Sequence, residues 1–222
     1  MKEAAEVLES ARLESEKFLK QERRSHRRGN YAALSVSPSY GGGQKKAGNL
    51  CHSDHQNRIL ESLLKEKSIK RIAGFASGKF PAFGSYAPKT YDFYRTTMSQ
   101  LIERHPELQW NFDNSVFPTM TFNMGPDTTC LDHNVCTNVP QGFCSITALG
   151  DFNPSKGGYF YLWDLRLVIR FPPGSTILIP SSSLRHGTTP IQTGESRYSI
   201  CCFWAFWLMW HPCHMGATFG TH

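Results

Sequence analysis

The strongest pattern in the chain is an alternation of apolar and polar positions that begins near Val116. Between positions 118 and 124, proline, methionine and phenylalanine at even positions alternate with threonine and asparagine at odd positions. This two-residue period predicts a half-buried β-strand. Further strand-like runs, separated by turn sequences, lie at about 143–149, 158–163, 166–171, 176–180, 183–188 and 197–204. Because no helical segment separates these runs, the pattern predicts antiparallel sheets in a sandwich or jelly roll.

The first half of the chain has helical patterns instead. Ser53 and Asp54 offer an N-cap to an apolar stripe, which predicts a helix near 54–70, and a second stripe predicts a helix over 88–104. Residues 2–28 contain no proline or glycine and carry only a thin apolar stripe, so we expect an exposed helix there.

These segments predict one folded domain with appendages, in the α+β class. A charged helical extension covers residues 1–28, and a basic loop rich in glycine and serine covers 29–53. The domain itself covers 54–205, with helical support over 54–110 and a jelly-roll core over 111–205. A divergent tail covers 206–222.

Charge narrows the choice of partners. The formal net charge is +6 and the isoelectric point about 9.0, which favours a polyanion such as DNA or RNA. Five of the nine residues from Lys20 to Arg28 are cationic. This segment could follow a phosphate backbone, direct nuclear import or be a solvated basic face.

Cysteine usage and the N-terminus indicate a compartment. The chain has 7 cysteines, an odd number without a C-x-x-C pair, so neither a disulfide framework nor a structural zinc site is indicated. The charged N-terminus lacks the apolar segment of a secretory signal, so we expect a nuclear rather than a secreted protein. Ile200–Trp210 is the most apolar run, and it is too short to span a membrane. It predicts a core segment or a partner surface, and we expect no membrane partner.

Three polar residues in the β region are candidates for chemistry: His133, His186 and Arg197. Each by itself is more typical of a structural residue. Together they suit a non-haem iron(II) oxygenase, which holds iron with two histidines and a carboxylate. In such a site 2-oxoglutarate needs a cation for its distant carboxylate, and Arg197 suits that task with Ser199 on the same strand face.

Eight short segments of the chain together carry a resemblance to a known family. They are Asn111–Pro118 (NFDNSVFP), Thr121–Pro126 (TFNMGP), Gly142–Asp151 (GFCSITALGD), Gly157–Gly158, Leu162–Leu165 (LWDL), Phe171–Pro180 (FPPGSTILIP), Arg185–His186 and Glu195–Ser199 (ESRYS). By these segments the sequence resembles the TET/JBP-like dioxygenases of mushroom-forming fungi, a family often found with transposons. The resemblance covers roughly residues 29–199. It implies a cupin-like double-stranded β-helix that oxidises methylated bases such as 5-methylcytosine in duplex DNA, using Fe(II), oxygen and 2-oxoglutarate.

The resemblance also implies roles for individual residues. His133 and His186 match the iron histidines, and Arg197 with Ser199 matches the cosubstrate anchor. Asn138 falls where relatives have a polar residue near the substrate base, since an amide can donate to or accept from a base edge. An ordinary turn asparagine is an equally good interpretation of Asn138.

The chain departs from the family at the third iron ligand. The family's carboxylate stands two residues after the first histidine, because positions i and i+2 share one face of a strand. Here that position is Val135, which cannot bind iron. The polar neighbours at 132, 134 and 136 have the opposite parity, and Asp127 is roughly 20 Å away along an extended strand.

Two outcomes follow from this departure. Water or a distant aspartate, Asp151 or Asp164, completes the site, or the site no longer binds iron, and we expect impairment. Three functions therefore compete. The first is a DNA dioxygenase, the second a catalytically inactive DNA-binding or regulatory module, and the third a metal-independent interaction protein that exposes the aromatic residues 200–210.

Overall fold

A computed structural model of the chain describes residues 1–17, 25–39, 48–78, 83–205 and 208. The helices are α1 Lys2–Glu16, α2 Asp54–Lys65, α3 Lys67–Ser77, α4 Phe83–Tyr86 and α5 Pro88–Arg104. The strands are β1 Ser25–His26, β2 Gly29–Asn30, β3 Ala32–Val36, β4 Pro38–Ser39, β5 Gly48–Asn49, β6 Thr119–Met124, β7 Cys144–Asp151, β8 Phe160–Leu162, β9 Leu167–Ile169, β10 Thr176–Ile179, β11 His186–Thr188 and β12 Ser196–Phe203.

Two antiparallel sheets form the β core. The larger has the order β10-β7-β12-β6-β3, and the smaller has the order β11-β8-β9. An antiparallel bridge between His133 and His186 adds the 133 segment to the free side of β11. Apolar side chains of β7, β8 and β10 pack between the sheets. The antiparallel sandwich predicted from the two-residue alternation is therefore confirmed.

Helices cover the outer face of the larger sheet. Residues of α1, α2, α3 and α5 share one apolar core with β3, β6 and β12. This packing buries every residue of β6, which the alternation alone predicted to be half-buried. The predicted helices near 54–70 and 88–104 are present, and Ser53 caps α2 in a capping box with Gln56. The first of them is broken at Glu66, whose ψ of 127° is extended rather than helical.

The expected exposed helix over 2–28 is wrong in its length and its environment. The helix α1 ends at Glu16, and residues 25–30 form the β1–β2 hairpin instead. The buried face of α1 consists of Ala4, Leu8, Ala11 and Ser15, and the first three belong to the main apolar core. Two alanines and a serine add little to an apolar stripe, but their small size lets the helix approach closely. Residues 18–24 lie outside the described part of the chain.

The loop expected over 29–53 is also corrected. Ala32–Val36 forms β3, the edge strand of the larger sheet, paired with β6. Its residues alternate between buried and half-buried, the two-residue period of a strand. Glycines and serines flank this short run, and because that composition is typical of a loop, the strand was not predicted. Residues 40–47 of the predicted loop lie outside the described residues.

The aromatic segment is a core segment as far as Ala205. The strand β12 continues through Phe203 and pairs with both β6 and β7, so the larger sheet is complete around it. Trp204 is 1% exposed and donates a hydrogen bond from Nε1 to the carbonyl of Val116 at 2.7 Å. The hypothesis of an exposed aromatic patch is therefore wrong for residues 200–205. Most of the predicted tail 206–222 lies outside the described residues.

None of the helices in the described part of the chain is both long enough and apolar enough to cross a membrane.

The packing of α1 yields a stability prediction. Leu8 is 0% exposed, whereas Leu13 on the same helix is 49% exposed. Truncating a fully buried leucine leaves a cavity, so Leu8→Ala should lower the free energy of unfolding by about 2 to 5 kcal/mol. Leu13→Ala should change it by less than about 0.5 kcal/mol. Urea denaturation followed by circular dichroism measures both, and equal effects would mean that α1 is an appendage.

Candidate functional site

A cavity lies between the two sheets. Both sheets and the loop that precedes Val139 contribute to its wall. The lining residues are Arg28, Tyr31, Asn123, Cys130, His133, Val135, Asn138, Cys144, Ile146, Phe160, His186, Gly187, Thr188, Arg197, Ser199, Cys201 and Phe203. All five candidate site residues of the sequence analysis lie in this one wall, although they span more than sixty positions of the chain.

The two histidines stand opposite each other on neighbouring extended segments. Each donates its backbone N–H to the other's carbonyl at 3.0 Å, which makes them a hydrogen-bonded antiparallel pair. Such a pair holds its two side chains on the same face of a sheet. The imidazole centroids are accordingly 4.5 Å apart, and Phe160 stacks on the ring of His186 at 5.8 Å.

Backbone carbonyls fix the tautomers of both rings. His133 Nδ1 lies 2.9 Å from the carbonyl oxygen of Leu131, and His186 Nδ1 lies 2.8 Å from that of Leu184. A carbonyl only accepts, so Nδ1 must carry the proton in each ring. The lone pair is then on Nε2, and a metal-binding histidine is commonly held in this way.

Both histidines are neutral at physiological pH. Burial lowers the pKa of His133 from 6.5 to about 4, with a smaller contribution from His186. Burial likewise lowers the pKa of His186. Two uncharged imidazoles can approach each other and present lone pairs to a cation without first losing protons.

Val135 occupies the third position of the expected metal set. It lines the cavity beside His133, whereas Asp132 forms an ion pair with Arg185 and Asn134 donates to the carbonyl of Ser182. The side-chain directions therefore alternate as the parity argument predicts.

The distant aspartates do not replace this ligand. Asp164 accepts a hydrogen bond from the backbone N–H of Arg185, Asp127 accepts two from Thr129, and neither they nor Asp151 line the cavity. Among the described residues no group of three His, Cys, Asp or Glu side chains is placed to hold a metal ion. The described residues thus bring two histidines together in the cavity without a third His, Cys, Asp or Glu side chain that could complete a metal site with them.

Arg197 is the most unusual side chain of the cavity. It is 1% exposed, and burial lowers its pKa, although an arginine remains charged in a protein. Its Nη1 donates to the carbonyl and the hydroxyl of Thr128 at 2.9 and 3.0 Å, while its Nε has no partner. No carboxylate of the described residues forms an ion pair with it.

Two further polar side chains that line the cavity can each form one more hydrogen bond. Ser199 accepts a hydrogen bond from Asn123 Nδ2 at 2.9 Å, and its own hydroxyl proton remains available. Asn138 Nδ2 donates to Ser181 Oγ at 2.8 Å, while its Oδ1 is buried without a partner. Asn138 is therefore a structural turn residue that also presents an acceptor to the cavity.

The cavity also contains a cation that sequence reasoning did not assign to it, Arg28. The β1–β2 hairpin has Arg27 and Arg28 at its turn, and the turn lies against the segment that carries His133. A Cβ on Gly29 would come within 2.6 Å of the Thr129 carbonyl, so only glycine permits this close approach. The basic run in the sequence contained Arg28, but nothing in that run indicated its partner segment.

No negative charge in the lining offsets the two arginines. The described wall contains no aspartate or glutamate. Burial raises the pKa of the Cys130 and Cys144 thiols, and it raises that of Cys201 to about 11. These thiols are therefore protonated at neutral pH, and the described lining of the cavity carries a net positive charge.

The chain is similar in structure to NgTET1, solved in complex with 5mC DNA. The two share 17% sequence identity at a TM-score of 0.58, over 90% of this chain and 68% of that one. No protein-family model and no curated protein sequence matches the chain. At this level of identity the likeness concerns the fold alone, and the chain has the jelly-roll fold of this solved structure.

A second solved structure is the viral collagen prolyl hydroxylase vCPH from Paramecium Bursaria Chlorella virus-1, in its 2OG complex. It shares 16% identity, and the match covers 40% of this chain and 59% of that one. Its TM-score of 0.32 is too low to support any assignment.

The position of Val135 yields a gain-of-function prediction. Val135→Asp adds a carboxylate on the cavity side of the strand, next to His133. Even outer-shell partners of a metal contribute about 10- to 100-fold in affinity, so a restored ligand should tighten Co(II) or Fe(II) binding by at least about tenfold. Anaerobic calorimetric titration measures the change.

Two companion variants make this comparison specific. Val135→Asn has nearly the shape of the aspartate without its charge and should gain little. His133→Ala in the Val135→Asp background should lose what the aspartate gained. If the natural protein already binds iron as tightly as Val135→Asp does, the third ligand comes from elsewhere in the chain.

Proposed function

We propose that this chain is a divergent relative of the fungal TET/JBP-like DNA dioxygenases. In this proposal it binds 2-oxoglutarate in its cavity and associates with methylated duplex DNA, while its iron-dependent oxidation is impaired. The proposal joins the fold, the resemblance in sequence and the composition of the cavity wall. Its nuclear localisation and its transposon association are part of the same proposal.

The buried guanidinium of Arg197 is the observation that carries the proposal. A charged group buried without a counter-ion costs several kcal/mol, so proteins rarely retain one. A carboxylate ligand would accept from the unpartnered Nε and provide the missing negative charge. Ser199, two residues along the same strand, has a hydroxyl proton left for the same carboxylate.

The rest of the cavity lining suits a small anion that has one end at Arg197 and the other end at the two histidines. Ile146, Phe160 and Phe203 supply apolar contacts that exclude water from the cavity. Low polarity around an ion pair strengthens it. If iron were bound, His133 and His186 would hold it through Nε2, and iron would supply the oxygen chemistry of this class of enzyme.

A fully active dioxygenase is the second candidate function. The fixed tautomers and neutral charge of the two histidines favour it. The absence of a third His, Cys, Asp or Glu ligand among the described residues opposes it. We therefore place the binding of 2-oxoglutarate and DNA first and oxidation second.

The proposal of DNA as partner rests on the positive net charge of the chain and on the unpartnered amide oxygen of Asn138. The net charge of +6 suits a polyanion. The unpartnered Oδ1 of Asn138 could accept a hydrogen bond from the exocyclic amino group of a cytosine turned out of the duplex. The structural neighbour NgTET1 was solved with 5mC DNA, which is consistent with this partner.

Binding of 2-oxoglutarate can be tested at Arg197. Arg197→Met keeps the length of the side chain and removes the charge-assisted hydrogen bonds, which contribute about 1.5 to 3 kcal/mol. The affinity for 2-oxoglutarate should fall by about 10- to 100-fold in calorimetric titration. Arg170→Met removes an exposed arginine outside the cavity and should leave the affinity unchanged. Equal affinities of Arg197→Met and the natural protein would mean that Arg197 has another role.

DNA binding can be tested through its dependence on salt. Each phosphate that the basic side chains contact releases counter-ions, so the logarithm of the affinity should fall linearly with the logarithm of the salt concentration. The expected slope is about −0.9 for each such contact. Fluorescence anisotropy with methylated and unmethylated duplexes of one sequence provides the measurement. A flat response to salt would exclude binding through the basic surface.

A further inference from the structure

Arg28 gives the cavity a second positive charge that the proposed function does not use. Its side chain is half-buried and lines the same wall as His133, Val135 and Arg197. No ion pair or side-chain hydrogen bond joins its guanidinium to the described residues. Its charge therefore acts on the cavity without a local counter-ion.

The backbone around Arg28 is held in place from both sides. Its carbonyl accepts a hydrogen bond from the Leu131 N–H at 2.7 Å, and its own N–H donates to His26 Nδ1 at 3.2 Å. The neighbouring Arg27 donates from both terminal nitrogens to the carbonyl of Asn134 at 3.3 and 3.4 Å. The hairpin turn is thus fastened to residues on either side of His133, so the backbone that carries Arg28 is positioned before any ligand arrives.

Charge balance then identifies the ligand that this wall accommodates best. The described lining has two arginines, Arg28 and Arg197, and no carboxylate side chain. A dianion neutralises the two arginines without any metal ion. A divalent metal would instead add two positive charges beside Arg28, with no acid in the described wall to offset them.

We propose that the cavity binds a short dicarboxylate of the 2-oxoglutarate type without a metal ion, with Arg197 holding one carboxylate and Arg28 the other. This inference rests on the proposed binding of 2-oxoglutarate and goes beyond it, because it assigns to Arg28 the electrostatic role of the metal. Arg28 is therefore a binding residue of the cavity rather than part of a general basic surface. Val135 is compatible with this site because it keeps negative charge away from Arg28.

Titration of the full chain with 2-oxoglutarate in the presence of EDTA tests the inference. The natural protein should bind, and adding Co(II) or Fe(II) under argon should change the affinity by less than about twofold. Arg28→Gln should weaken metal-free binding by about 10- to 100-fold, the effect of losing a charge-assisted contact. Arg170→Gln removes an exposed arginine outside the cavity and is the matched control, which should bind as the natural protein does. Circular dichroism checks that each variant is folded.

The outcomes separate this inference from the proposed function. Binding that depends on Arg197 and needs the metal, with no effect of Arg28→Gln, overturns the inference and leaves the proposed function standing. Equal losses in Arg170→Gln and Arg28→Gln would assign the effect to the net charge of the chain and also overturn it. A natural protein that binds no dicarboxylate with or without metal overturns both. Val135→Asp supplies a final check, since its new charge should weaken metal-free binding and make it dependent on the metal.

Discussion

The protein is organised around a positive charge that its interior does not neutralise. Arg197 is 1% exposed on the central strand β12, where it donates to Thr128 and lies over the ring of Phe152. Asp127 is nearby, but no carboxylate of the described residues forms an ion pair with Arg197. Burying such a group costs free energy that the helices and the second sheet must offset. The apolar layers on both sides of the larger sheet provide this free energy. They hold β12 in register although Arg197 Nε has no hydrogen-bond partner.

Elements with a clear period could be predicted from the sequence, and elements made of small residues could not. The alternation and the strand-like runs from Val116 onward identified the strands of both sheets other than β3. The helix α1 and the strand β3 were misjudged because alanine, serine and glycine carry little hydrophobic signal. Their burial depends on how closely two backbones approach, which is a property of the tertiary structure.

At the site, too, features set by one strand could be predicted from the sequence, and contacts between distant segments could not. The parity argument correctly separated Val135, in the cavity wall, from Asp132, in an ion pair with Arg185, since it needed only the alternation of one strand. Arg28 could not be predicted to lie near His133, because the contact joins segments about a hundred positions apart, as the bond from Arg27 to Asn134 illustrates. Its cause is a hairpin turn that docks through backbone hydrogen bonds, and such contacts leave no side-chain pattern.

The hydroxyl of Tyr198 donates a hydrogen bond to Glu9 Oε2 at 2.6 Å, which ties β12 to the helix α1 on the opposite side of the sheet. Tyr198 lies between Arg197 and Ser199 in sequence, so its backbone belongs to the strand that carries both of these cavity residues. Any ligand that steadies this strand also steadies the helix, by thermodynamic linkage rather than by contact. Occupancy of the cavity should then be visible as slower amide hydrogen exchange in α1, on a surface that the ligand never touches.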